Sequence, residues 1–162
     1  MEKEFLQIIK RNQGIIHKVC NIYCDDQDDR NDLFQEIVAQ LWKSFPSFRE
    51  ESKFSTWMYR VALNTAITSF KKTKRRPDQN RLTYENFQVK DENYDVETED
   101  EIKNLHKAVA QLTGVEKSIV LLFLENKKYE EIAEITGITQ NYVRVKMNRI
   151  KKKLKKFMET ED

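Results

Sequence analysis

Apolar residues recur with helical spacing over most of the chain. Near the C-terminus Val143, Met147, Ile150 and Leu154 fall at i, i+4, i+7 and i+11, one stripe of an amphipathic helix. Just upstream, Tyr129 to Ile135 offers Ile132, Ala133 and Ile135 to a core and turns Glu130, Glu131 and Glu134 to water. Gly137 supplies the left-handed residue that ends a helix, and Thr139 is placed to cap the next one. Two helices joined by so short a glycine turn predict a DNA-binding helix-turn-helix.

The first half predicts three helices. One runs from about Lys3 to Cys24 on the stripe Phe5, Ile8, Ile9, Ile16, Val19 and Tyr23, and the acidic loop Asp25 to Asp29 ends it. A second begins near Asn31 and runs to Ser44, with Leu33, Phe34, Ile37, Val38, Leu41 and Trp42 as a broad buried face. Pro46 forbids its continuation, and Phe45 and Phe48 fall in the following loop, outside any helical period. Ser55 is the expected cap of a third helix holding Trp57, Met58, Val61, Ala62, Ile67 and Phe70. After Pro77 the pattern lapses into a polar and then acidic linker. It resumes with Ile102, Leu105, Val109 and Leu112, and Thr113 and Glu116 have capping-box spacing before Ile119, Val120, Leu122 and Phe123. The fold class is therefore all-α: two small helical domains, residues 1–76 and 101–162, joined by a flexible linker over 77–100, the second a four-helix unit ending in the helix-turn-helix.

Composition narrows the class. Three Gly and two Pro in 162 residues leave few tight β-turns, and 35% charged with 39% apolar residues suits amphipathic helices around modest cores. No apolar run approaches the roughly 20 residues of a membrane span, and Met1 to Lys10 lacks the apolar core of a signal peptide, so the expected location is cytoplasmic without membrane insertion. The net charge of +2 conceals its distribution. Asp91 to Glu101 holds seven acidic residues and no basic one, Lys71 to Arg76 five basic residues in six, and Tyr142 to Phe157 eight basic residues and no acid. A charge run alone is often a solvated face. Here the cations Arg144, Lys146 and Arg149 follow a glycine turn and stand beside Gln140, Asn141 and Asn148, side chains able to read base edges.

His17, Cys20 and Cys24 share one side of the first helix, which raises the question of a metal site. With no fourth ligand nearby and Cys20 on the apolar stripe, the expectation is a small buried hydrophobe, no metal and no cofactor. Nor does any nucleophile, acid-base pair or phosphate loop suggest an enzyme.

Three segments together resemble the extracytoplasmic-function (ECF) sigma factors of bacterial RNA polymerase, over nearly the whole chain. Asp32-Leu33-Phe34-Gln35-Glu36 with Trp42 is similar to that family's core-polymerase-binding segment. Phe54 to Ala66, with Trp57, Arg60 and Asn64, is similar to its promoter-melting and minus-ten-recognition helix, and residues 107 to 157 to its domain four. The resemblance implies an alternative sigma factor that binds core RNA polymerase and promoter DNA, with an anti-sigma factor as a further partner. It implies core-polymerase contacts at Asp32, Gln35, Glu36 and Gln40. It implies contacts to the melted strand at Arg49, Ser52, Lys53, Phe54, Trp57, Arg60 and Asn64, where aromatic surfaces, amides and cations suit unstacked bases. Duplex contacts are implied at Thr139, Gln140, Asn141, Arg144, Lys146, Asn148, Arg149 and Lys151, the first three near phosphates at the helix N-terminus.

Some residues depart from the family pattern. Lys128 stands where a capping Ser is common, Asn126 where Gly is frequent, and Val145 where a small polar residue often faces the groove, so that it could meet a thymine methyl instead. No N-terminal autoinhibitory region and no intermediate domain is expected, as in the minimal class. Promoter elements one and a half to two turns apart lie roughly 50 to 70 Å apart; a 24-residue linker reaches at most about 80 Å, against a relaxed span of about 27 Å. The acidic run would then either imitate nucleic acid or hold the basic second domain in a closed free state. A conventional helix-turn-helix regulator with an N-terminal ligand-binding or dimerisation domain is the alternative; it accounts for the second half and leaves the 32–36 and 54–66 segments unexplained.

Overall fold

The computed structural model describes the backbone of residues 1–48, 53–75 and 96–160, and their side chains except those of 73–75, 96–99 and 160. Among these residues it is wholly helical: α1 (Glu2–Arg11), α2 (Gln13–Tyr23), α3 (Gln27–Ser44) with a 3-10 turn at Phe45–Ser47, α4 (Phe54–Arg75), α5 (Val96–Ala110), α6 (Gly114–Leu124), α7 (Tyr129–Thr136) and α8 (Gln140–Thr160). Of the linker expected over residues 77–100, positions 77–95 lie outside the described residues, and 96–100 belong to α5.

The predicted first helix is two. The stripe from Phe5 to Tyr23 continues through the break, which is why periodicity hides it. Asn12 sits at φ −119°, ψ 18°, and its side-chain amide donates to the Ile8 carbonyl at 2.8 Å. That bond offers the backbone a local alternative to helix, and Gly14 lowers helical preference just beyond. α3 begins four residues earlier than expected, because Asp26 caps it by accepting from the Asp28 amide at 3.1 Å, and Asp28 and Asp29 then occupy its first turn, where the helix dipole favours negative charge. α4 likewise starts at Phe54, so Ser55 lies inside the first turn and does not cap it. The core face of α3 is narrower than the sequence suggests. Leu33, Ile37 and Leu41 are buried, whereas Trp42 is 43% exposed and packs edge-on against Phe5.

α5 starts at Val96, so the end of the acidic run forms its first turns, again the end of a helix that tolerates negative charge. Ala108 of α5 and Leu112 just beyond it are buried, while Ile102 and Leu105 are exposed. The capping box at α6 is present as read: the Glu116 amide donates to Thr113 Oγ1 at 3.2 Å, and the Thr113 amide to Glu116 Oε1 at 2.9 Å. Glu116 is itself buried and receives Lys153 of α8 at 2.8 Å. Burial alone would raise its carboxyl, but the Lys153 bond and the Thr113 bonds together hold it below the ordinary value.

The two helical units do not stand apart. α2 and α4 pack on α6, and α4 on α7, so that one apolar core runs from Phe5 through Ile37 and Met58 to Ile119, Ile132 and Ile150. Gly114 lies at this contact: a β-carbon there would stand 3.4 Å from Phe70 and 3.6 Å from Ile67, ordinary van der Waals distances. The Tyr23 hydroxyl donates to the Gly114 carbonyl, and burial pushes that phenol well above its ordinary range. Lys117 lies 4.4 Å over the Phe70 ring, and Lys18 pairs with Glu125 at 2.8 Å.

Candidate nucleic-acid and polymerase interfaces

Gly137, at φ +80°, receives the end of α7 by donating its amide to the Ala133 carbonyl at 2.9 Å. Thr139 Oγ1 accepts from the Tyr142 amide at 3.1 Å and fixes the first turn of α8. Val143, Met147 and Ile150 are then buried with Ile132 and Ile135 of α7, which fixes the rotation of α8 about its axis. As a result Thr139, Gln140, Asn141, Arg144, Asn148, Arg149 and Lys151 are exposed, and Lys146 is half-buried with its ammonium 5.6 Å from the Tyr142 ring. No acidic residue lies between Ile135 and Met158. Of the cations in this stretch Lys153 is committed to Glu116, and Lys151 rests over Phe123 at 5.3 Å. What remains is a convex helical edge, rich in cations and amides, of the width that enters a major groove.

A second surface lies on α4. The 3-10 turn and the start of α4 bring four rings together: Phe48 to Trp57 at 5.0 Å, Phe48 to Phe54 at 5.3 Å, Phe54 to Trp57 at 5.2 Å and Phe45 to Trp57 at 6.4 Å. Phe45 and Phe48, aperiodic in the sequence, thus wall the Trp57 ring. Trp57, expected to offer its face to an unstacked base, is 8% exposed in this arrangement and serves the core; Phe54 is half-buried. Lys53 and Asn64 are exposed. Arg60 Nη2 donates to the Glu134 carbonyl of α7 at 2.9 Å, so this cation is held by the second unit. Arg49 and Ser52 lie outside the described residues, as do the side chains of 73–76 in the basic block.

A third surface is the outward edge of α3. Asp32, Gln35 and Glu36 are exposed, and Gln40 is half-buried with its amide donating to Glu36 Oε1 at 3.1 Å. These four residues lie on one polar side, opposite Leu33, Ile37 and Leu41.

Cys20 is buried and Cys24 half-buried; burial drives their thiols up to about 11 and about 12, away from the thiolate a metal requires. His17 stacks on Phe34 with centroids 4.9 Å apart. Among the described residues no cluster of His, Cys, Asp and Glu could hold a metal, and no helix is long and apolar enough to cross a membrane.

A closed arrangement of the two units is one of the two alternatives the sequence left open, but it did not name the residues that meet, Tyr23, Arg60, Ile67 and Phe70 on one side and Gly114 and Glu134 on the other.

The model of Sigma-70 region 2 matches residues 8–76, and that of Sigma-70, region 4 matches residues 102–154. The RNA polymerase sigma factor SigV of Bacillus subtilis is 31% identical over 141 residues, 86% of this chain and 82% of that protein. The ECF RNA polymerase sigma-E factor of Haemophilus influenzae is 31% identical over 163 residues, covering 91% and 84%. Two solved structures share the fold. CnrH in complex with the cytosolic domain of CnrY gives a TM-score of 0.70 at 14% identity, over 100% of this chain and 92% of that one. The sigma factor RpoE in complex with the anti-sigma factor NepR from Bartonella quintana gives 0.66 at 15%, over 99% and 98%. The chain belongs to the sigma-70 family, in its extracytoplasmic-function class, and is an alternative sigma factor that directs transcription initiation.

Proposed function

We propose that residues 1–76 bind core polymerase and the minus-ten element, that residues 101–162 bind the minus-thirty-five duplex, and that 77–100 connect the two. The observation that carries this reading is the outward face of α8, a capped helix whose core side is used and whose other side, from Gln140 to Lys156, holds cations, amides and the two apolar residues Tyr142 and Val145. In this reading Arg144, Lys146, Asn148, Arg149 and Lys151 meet the duplex, with Thr139, Gln140 and Asn141 at its phosphates. Asp32, Gln35, Glu36 and Gln40 bind polymerase. Lys53, Arg60 and Asn64 meet the melted strand together with Arg49 and Ser52, and Phe54 and Trp57 support them through the aromatic cluster. The protein is a non-catalytic factor of the cytoplasm, and an anti-sigma factor is its regulatory partner, as NepR is for the Bartonella protein by its description.

The contact between the units also bears on the mechanism. Two promoter elements roughly 50 to 70 Å apart cannot both be met while α4 packs on α7, so engagement requires the units to separate and frees Arg60 from Glu134. Run-off transcription with core polymerase over a promoter library tests the assignment. Transcripts that require both the chain and a selectable upstream duplex are expected; chain-independent initiation would refute it.

A further inference from the structure

The first two turns of α8 carry two apolar side chains that they do not bury. Tyr142 is 44% and Val145 38% exposed, while Val143, Met147 and Ile150 on the opposite side are at 3% or less. Tyr142, Val145 and Arg149 fall at i, i+3 and i+7, which places them on one strip of the helix. Their neighbours Asn141, Arg144, Asn148 and Arg149 are all polar and exposed. Neither apolar residue serves the core, so a partner surface is the remaining source of a favourable contact for them.

The charge of this face commits it to a polyanion, and a duplex groove limits what an aliphatic side chain can meet. In the major groove the base edges present hydrogen-bond donors and acceptors, and thymine adds to its O4 acceptor an apolar methyl at C5. We propose that Val145, with Tyr142 beside it, reads a thymine methyl in the major groove, adjacent to the base addressed by Arg149. This rests on the reading of α8 as the duplex-binding helix. Tyr142 is fixed by the Thr139 cap at its amide and carries the Lys146 ammonium over its ring at 5.6 Å. Its ring thereby walls one side of the methyl contact and holds that cation toward the flanking backbone. The predicted preference is for an A·T pair in one orientation only, because the methyl lies on one strand.

The test uses the full chain bound to core polymerase and the upstream duplex enriched from a random library. Each thymine of that duplex is replaced in turn by deoxyuridine, which removes the methyl and nothing else. Affinity is expected to fall about fourfold at one or two adjacent thymines, the worth of one buried methyl, and to stay unchanged at the others. Val145→Ser should make the same replacement silent, Val145→Ile should keep its effect, and 5-methylcytosine at that position should recover part of what cytosine loses. A replacement silent at every thymine, or a full methyl effect persisting in Val145→Ser, would overturn the proposal while selective, salt-dependent binding left the duplex reading standing. A library from which no duplex is enriched would overturn both.

Discussion

α3 and α8 are two long helices with polar outward faces, and the faces differ in kind. The polar edge of α3 mixes two carboxylates with two amides, one amide already hydrogen-bonded along the helix, while that of α8 from Gln140 to Phe157 has cations and no carboxylate. A mixed polar edge suits a protein surface, where each donor or acceptor must meet its complement and geometry decides the affinity. A one-signed edge suits a phosphate lattice, where binding comes largely from counterion release. If α3 meets polymerase and α8 the duplex, as proposed, the two steps of promoter engagement rest on different physics and can be separated by salt and by substitution.

The largest expected effect is on α3. Gln35→Ala with Glu36→Lys reverses charge at the centre of that edge without touching Leu33, Ile37 or Leu41. Co-purification with core polymerase should be lost, a cost of about 2–5 kcal/mol, while the helical circular-dichroism signal and Tm stay close to wild type. Retention of wild-type affinity would remove α3 from the interface. Next comes Arg149→Ala, which should cost about 1–3 kcal/mol and relax preference at one duplex position. Asn64→Ala should leave that duplex binding intact and instead reduce permanganate reactivity of unpaired thymines; normal melting in this variant would erase the division between α4 and α8. Salt sharpens the comparison without mutation. If about four cations of α8 meet phosphates, log K for duplex binding should fall against log salt with a slope near −3.6, and core-polymerase binding by α3 should show a much shallower slope.

A smaller effect concerns the base of α8. The Glu116 carboxyl is held below its ordinary value, so its contribution to stability is complete above that value, 4.5, and is lost as pH falls through the depressed one. Wild type should therefore lose stability below about pH 4.5 more steeply than Glu116→Gln, read as Tm against pH; parallel curves would mean that Lys153 contributes nothing here. The smallest effect is at the entry to α7. Lys128 occupies its N-cap position without a side-chain cap bond, and Lys128→Ser should raise stability by about 1 kcal/mol in denaturant titrations.

The elements that were legible in the sequence are those set by local chemistry. Gly137 adopts the left-handed conformation, Thr139 and Thr113 cap the helices they precede, and the stripe Val143 to Ile150 is buried. Asn126, noted where glycine is frequent, has φ +61°, which explains the preference and its tolerance, since Asn enters that region more readily than other residues with a β-carbon. Features decided by competition or by distance were not legible. The break at Asn12 is a side-chain bond winning over a helix that the apolar stripe would allow, and the exposure of Trp42 depends on how far α1 reaches across α3. For the candidate sites, the outward face of α8 was readable because burial of its other side fixes its rotation. The enclosure of Trp57 and the engagement of Arg60 were not, since both need partners far off in the chain: Phe45 and Phe48 for one, Glu134 for the other.

If Arg60 serves the melted strand as proposed, its bond to Glu134 bears on how strongly the free protein meets DNA. A group needed by two mutually exclusive arrangements contributes to the second only in proportion to the molecules that have left the first. If the closed arrangement is favoured by about 2.7 kcal/mol, about one molecule in a hundred is open, and apparent affinity for promoter DNA falls about a hundredfold below that of the open form. Any partner that binds only separated units recovers that factor. Core polymerase then acts as a selector of one population, and a weak interaction of the isolated chain with promoter DNA is the expected signature of a capable recognition surface held in reserve.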